Sequence, residues 1–183
     1  MKLPNIRRVW RWLWGCIFYR HRFAHAGKRL IMFQPILLSG LGYVTIGDHV
    51  FIRNGLRLEV LKPHDRVPQL EIGSRVNIEQ NVHIVCHSRI YIGDDVSITA
   101  NCAIVDVTHP YASGGIAKIG DRILDEDSFV EIGAGSFLGI GSIVLPNVRL
   151  GRGCVVGANS VVTRSFADRS VIAGAPAKLI RVY

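Results

Sequence analysis

Cysteine is scarce here and unpaired. The four cysteines, Cys16, Cys86, Cys102 and Cys154, form no CxxC pair, which argues against a disulfide framework and for a reducing compartment. Long apolar runs are missing as well. The stretch 12–19 falls far below the ~18–20 residues that cross a bilayer. Basic residues follow it and no small-residue cleavage site does, so it does not read as a signal peptide. Acid is absent from the first thirty residues, where Arg7, Arg8, Arg11, Arg20, Arg22, Lys28 and Arg29 sit in a chain of net charge +8. Such an excess suits nucleic acid, an anionic membrane face, a phosphorylated small molecule or a solvated basic tail. No aromatic-stacking motif supports nucleic acid, so none is expected.

What is present is a repeat. From Ile132 to Ala167 the hexads IGAGSF, LGIGSI, VLPNVR, LGRGCV, VGANSV and VTRSFA run without a break. An aliphatic residue recurs at Ile132, Leu138, Val144, Leu150, Val156 and Val162. Ser136, Ser142, Val148, Cys154, Ser160 and Phe166 follow four places later. A fixed short period marks a solenoid, and hexads mark a β-helix in which each hexad gives one strand and one turn. The aliphatic residue points inward, and the later one fills the corner. Gly, Asn and Asp cluster between them because tight turns need positive φ. Residues 72–91 and 92–111 repeat each other in a larger unit, and a weaker copy starts at Ile46.

Two segments leave the repeat, 61–69 and 109–115, and such departures from a rigid stack are where function tends to sit. The first 25 residues differ again. On a helical reading, Ile6, Trp10, Leu13, Trp14, Ile17 and Phe18 share one side and the arginines lie largely off it. That pattern fits a helix capping the first coil, a helix lying in a lipid interface, or both.

On the hexads, the NCAIVDVTHPY stretch from Asn101 and the terminal AGAPAKLIR from Ala173, the chain resembles the hexapeptide-repeat acyltransferases. The branch it resembles is the bacterial sugar and polysaccharide O-acetyltransferases. The resemblance covers about residues 44–183. It implies an all-β solenoid, a left-handed parallel β-helix with a short N-terminal helical segment and a C-terminal tail. Residues 1–43 would be the basic, Trp-rich lead-in, 44–172 the β-helix and 173–183 a tail contacting CoA. A homotrimer is implied, with acetyl-CoA as co-substrate, no metal and a saccharide acceptor, lipid-linked if residues 1–25 meet membrane. The expected location is cytoplasmic, peripheral on the inner membrane in that case. The implied reaction is O-acetylation in capsule, exopolysaccharide or O-antigen synthesis. N-acetylation of an amino sugar and a non-catalytic assembly module are the alternatives, and a metal-dependent hydratase would need His83, His87 and His109 to converge.

The resemblance also assigns roles. His109 is the general base, since an imidazole with pKa near ~6.5 can take a hydroxyl proton and return it to the CoA thiolate. Asp106 would hold the imidazole tautomer, or be a surface turn acid. Backbone amides near Gly139 and Gly141 would face the developing oxyanion, or belong to plain turn glycines. Gly139, Ile140, Ala158, Thr163 and Arg164 would line acetyl-CoA, and Lys178 and Arg181 would meet its phosphates. Glu79, where the galactoside branch carries Asn, and His83 would meet the acceptor. His83 and His87 stand one coil before His109 and could face the same cleft, but their own context favours exposed turn residues.

Overall fold

The computed structural model describes residues 18–110, 118–124 and 126–183. The chain winds in short strands, three to a coil. The first two coils are β1 (His25–Ala26), β2 (Ile31–Met32), β3 (Leu37–Ser39) and β4 (Val44–Ile46), β5 (Phe51–Ile52), β6 (Arg57–Val60). Next come β7 (Gln69–Ile72), β8 (Asn77–Ile78), β9 (His83–Cys86) and β10 (Arg89–Ile92), β11 (Ser97–Ile98), β12 (Ala103–Val105). The hexad region supplies β13 (Phe129–Ile132), β14 (Phe137–Leu138), β15 (Ile143–Val144) and β16 (Val148–Leu150), β17 (Val155–Val156), β18 (Val161–Val162). β19 (Ser170–Gly174) and β20 (Ala177–Val182) end the chain.

Like-placed strands form three parallel sheets: β1-β4-β7-β10-β13-β16, β2-β5-β8-β11-β14-β17-β19 and β3-β6-β9-β12-β15-β18. The register puts one inward aliphatic on top of another. Ile46, Ile72, Ile92, Ile132 and Leu150 make one column, and Ile52, Ile78, Ile98, Leu138, Val156 and Ile172 a second. Leu58, Ile84, Ile104, Val144 and Val162 make the third. All of these side chains are buried, so each coil covers the apolar face of the next.

The corners explain the small residues. Ser136, Ser142, Cys154 and Ser160 are buried there, as the hexads predict. Ser136 Oγ donates to the Gly151 carbonyl at 3.1 Å and accepts the Cys154 N–H at 3.0 Å. Ser160 Oγ accepts the Gly174 N–H at 3.0 Å. Left-handed φ recurs at matching levels, at Arg75 (58°), Asp95 (59°), Gly135 (71°) and Gly153 (66°).

Two expectations shift. The sheets begin at His25, ahead of residue 44, because Met32 and Leu38 stack on Ile52 and Leu58. Arg29 (φ 57°) takes the left-handed turn position that His49 and Arg75 fill in the next two coils. At the other end, residues 173–183 are not a loose tail: β20 folds back antiparallel on β19. The helix expected over residues 6–18 lies almost wholly outside the described residues; residues 18–20 are helical.

Both departures from the repeat leave at one corner, between the third and first sheets. They join β6 to β7 (61–68) and β12 to β13 (106–128), whereas the connection between them, β9 to β10, is only His87 and Ser88.

A corner serine is expected to be worth its hydrogen bonds. Ser136→Ala leaves the Cys154 N–H buried without an acceptor and should lower the unfolding free energy in urea by about 1–3 kcal/mol. An unchanged midpoint would contradict that role.

Candidate functional site

The longer departure starts from a buried carboxylate. Asp106 extends the β12 ladder, its N–H donating to the Val85 carbonyl at 3.2 Å, and its side chain is 1% exposed. Oδ1 accepts the His87 N–H at 2.6 Å, and Oδ2 accepts those of Ser88 and Arg89, each at 2.8 Å. Burial pushes this carboxyl above the usual carboxylate range, against the pull of the three amides. Its oxygens accept from the 87–89 turn and not from the His109 imidazole. Asp106 is therefore neither the expected tautomer holder for His109 nor a surface acid. His87 is buried too, with Nδ1 3.2 Å from the Leu61 carbonyl, which overturns the exposed-turn reading.

His109 stands three residues on and is exposed. Its Nδ1 lies 2.7 Å from the carbonyl oxygen of Arg122. A carbonyl can only accept, so Nδ1 carries the proton and Nε2 is left as the basic nitrogen. The Leu124 N–H donates to the Thr108 carbonyl at 2.8 Å and holds the two limbs of the excursion side by side. Residues 111–117 and Asp125, which complete this loop, lie outside the described residues.

The remaining candidates sit on other faces. His83 is half-buried on the third sheet, level with Arg57 below and Ala103 above. Desolvation, then the Arg57 charge, lowers its pKa from 6.5. Glu79 pairs with Arg53 at 2.8 Å at the corner before that sheet. Two coils higher at the same corner, Gly139 donates its N–H to the Val156 carbonyl at 2.8 Å, and Gly141 to the Ala100 carbonyl at 3.0 Å. Both amides are engaged by the coils, and of the amides near them the one between, at Ile140, is not engaged among the described residues. A Cβ on Gly139 would lie 2.7 Å from the Ala158 nitrogen, so this glycine lets successive coils approach.

Ile140 and Ala158 are different. Both are exposed, on successive levels of that corner, and their N–H groups donate to no acceptor among the described residues. Thr163 and Arg164 follow β18 and are exposed, with the Arg164 guanidinium 5.2 Å from the Phe166 ring centre. Lys178 and Arg181 are exposed on β20. Among the described residues no group of three His, Cys, Asp or Glu side chains could hold a metal ion, so His83, His87 and His109 do not converge.

The bacterial transferase hexapeptide (six repeats) family matches residues 129–164. WbbJ of Escherichia coli (strain K12), named for O-acetyl transfer in lipopolysaccharide biosynthesis, is 33% identical over 174 residues, covering 91% of this chain and 82% of that protein. The galactoside O-acetyltransferase of Lactococcus lactis subsp. lactis (strain IL1403) is 33% identical over 178 residues, covering 97% and 81%. The chain belongs to the hexapeptide-repeat acyltransferases. Its coils also superpose on AntD, an N-acyltransferase from Bacillus cereus in complex with dTDP and 3-hydroxybutyryl-CoA. That match has TM-score 0.72 and 20% identity and covers 90% of this chain and 86% of that one. A likeness at that identity speaks for the fold, a β-helix of the left-handed type.

In this acyltransferase the contact that sequence reasoning missed is made by the main chain, and the burial of Asp106 was missed with it. The Arg122 carbonyl has no signature in a side-chain pattern. Asp106 did leave one. The internal repeat aligns it with Cys86, an inward position, and an acid placed inward is expected to be buried and bonded.

The lowered His83 pKa gives a pH dependence. A histidine that the fold keeps neutral contributes stability above its unfolded pKa of about 6.5, and that stability is lost as pH falls through the folded value. His83→Gln should flatten the loss of urea stability on acidification below pH ~6.5. An identical slope in the variant would contradict this.

Proposed function

We propose that this acyltransferase moves the acetyl group of acetyl-CoA to a hydroxyl of a saccharide, in surface-polysaccharide synthesis, with His109 as the general base. The observation that carries the reading is the Nδ1 contact with the Arg122 carbonyl. It puts a proton on Nδ1, so that in the neutral ring Nε2 is the acceptor a base needs. Nε2 takes the hydroxyl proton as the oxygen attacks the thioester carbonyl. The acetyl–sulfur bond then breaks, and the proton passes to the CoA thiolate. WbbJ and the Lactococcus enzyme are both named for O-acetyl transfer, which favours a hydroxyl over an amine.

Donor binding follows from groups without protein partners. The free N–H groups of Ile140 and Ala158 suit the amide carbonyls of the pantetheine arm. Thr163 and Arg164 continue that surface, and Lys178 and Arg181 offer cations to the phosphates. Glu79 and His83 are assigned to acceptor hydroxyls, and neighbouring subunits of a homotrimer complete the site. Calorimetric titration of acetyl-CoA should give saturable binding that survives His109→Ala and weakens at least tenfold in Lys178→Ala/Arg181→Ala, about 1.4 kcal/mol or more. No binding up to millimolar donor would refute the proposal.

The acceptor is lipid-linked, at the inner membrane face. The whole net charge of +8 is accounted for by Lys2, Arg7, Arg8, Arg11, Arg20, Arg22, Lys28 and Arg29, and beyond them acids and bases balance. Each such cation near an anionic leaflet is worth about 1 kcal/mol, and the three tryptophans interleave with them. No described helix is long and apolar enough to cross a membrane. The protein should float with phosphatidylglycerol vesicles and not with phosphatidylcholine vesicles. Flotation that survives deletion of residues 1–25 would contradict the assignment.

A further inference from the structure

The segment bearing His109 leaves the coils at Asp106 and rejoins them at Ser128, and both ends are tied to one short turn. Along the stack, corner N–H groups donate to carbonyls of the following coil, as Leu61 does to Cys86 at 2.8 Å, or singly to an Asp carboxylate there, as Ser74 does to Asp94 at 2.8 Å. At 87–89 one carboxylate takes three: Asp106 accepts the N–H groups of His87, Ser88 and Arg89 at 2.6–2.8 Å. The returning limb is tied in as well. Ser128 Oγ donates to the Asp106 carbonyl at 2.5 Å, and Ser88 Oγ donates to Asp127 Oδ1 at 2.9 Å.

We infer that Asp106 is a positioning residue, whose carboxylate fixes the root of the 107–127 excursion on the 87–89 turn and thereby sets where His109 meets the Arg122 carbonyl. The inference rests on the reading of His109 as the base. Bonds to an ionised acceptor are the stronger kind, and three of them converge on a side chain that water does not reach. Three residues separate this anchor from the imidazole, and two cross-contacts, Thr108 with Leu124 and His109 with Arg122, carry its constraint outward. The role is geometric: Asp106 makes no hydrogen bond to the His109 ring, whose Nδ1 meets Arg122 instead. A displacement of about 1 Å at a reacting group can cost about a hundredfold in rate, which is the loss of kcat expected for Asp106→Ala with acetyl-CoA affinity unchanged.

The test needs no acceptor. Long-range proton–nitrogen correlation spectra of the full chain, labelled with nitrogen-15, read the tautomer of each histidine, and His109→Gln assigns the relevant signal. The wild-type His109 ring should be in the Nδ1–H form. In Asp106→Ala it should drift to the Nε2–H form that free side chains favour. Asp106→Asn keeps one acceptor oxygen and Ser128→Ala removes one hydroxyl, so both should give mixed populations. These two carry the test if Asp106→Ala fails to fold. A full Nδ1–H signature in the folded variants would overturn the inference while leaving His109 as the base. A wild-type ring already in the Nε2–H form would sink the base assignment and this inference together, and it would be recognised without any substitution.

Discussion

The structure depends on one constraint, the unslipped stacking of a short strand on an identical short strand. A strand of two residues such as β11 or β14 cannot hold a conformation by itself. It is held because its backbone groups pair with the coils on both sides and its inward side chain rests on another of the same shape. A slip of one residue would turn every inward aliphatic outward. With Ile78, Ile98 and Leu138 all at zero exposure, no other register buries the column. The corners then have to be tight, which is why serine, cysteine, glycine and left-handed asparagine sit there.

That regularity gives an interruption its meaning. Corner amides of the stack bond to neighbouring coils through carbonyls, serine hydroxyls or Asp carboxylates, so a departure from the coils has to leave acceptors for them. The long excursion opens over the two-residue connection His87–Ser88, and the Asp106 carboxylate accepts three N–H groups there. The second excursion, 61–68, is tied to the same place through the contact of His87 with the Leu61 carbonyl. A rigid solenoid thus presents two irregular segments on one edge, one of which bears the imidazole.

Most of the fold was legible because it is periodic. The aliphatic and small positions of the hexads identify the inward side chains from Ile132 onward, and the twenty-residue copies do so further back. The first coil was harder to see. Its Lys28 and Arg29 fill the turn where the next coils have Asp48-His49 and Ser74-Arg75, and the left-handed backbone conformation is the same despite the different residues. Motif reasoning singled out His109, but its partner is a main-chain oxygen thirteen residues away, which no side-chain pattern reports. The packing role of Gly139 could not be read in advance, because glycine beside a ligand and glycine between packed coils look alike in sequence; the 2.7 Å from its would-be Cβ to the Ala158 nitrogen is what shows the packing.

The central claim is that a neutral imidazole at position 109 is the base for acetyl transfer. The most direct measurement is thiol release from acetyl-CoA in the presence of a panel of saccharides, with wild-type protein and His109→Gln compared under matched donor saturation. The account predicts acceptor-dependent release by the wild type and a fall of at least about a hundredfold in the variant, the range that general base catalysis supplies. A variant that acetylates the same sugar at the wild-type rate would contradict it.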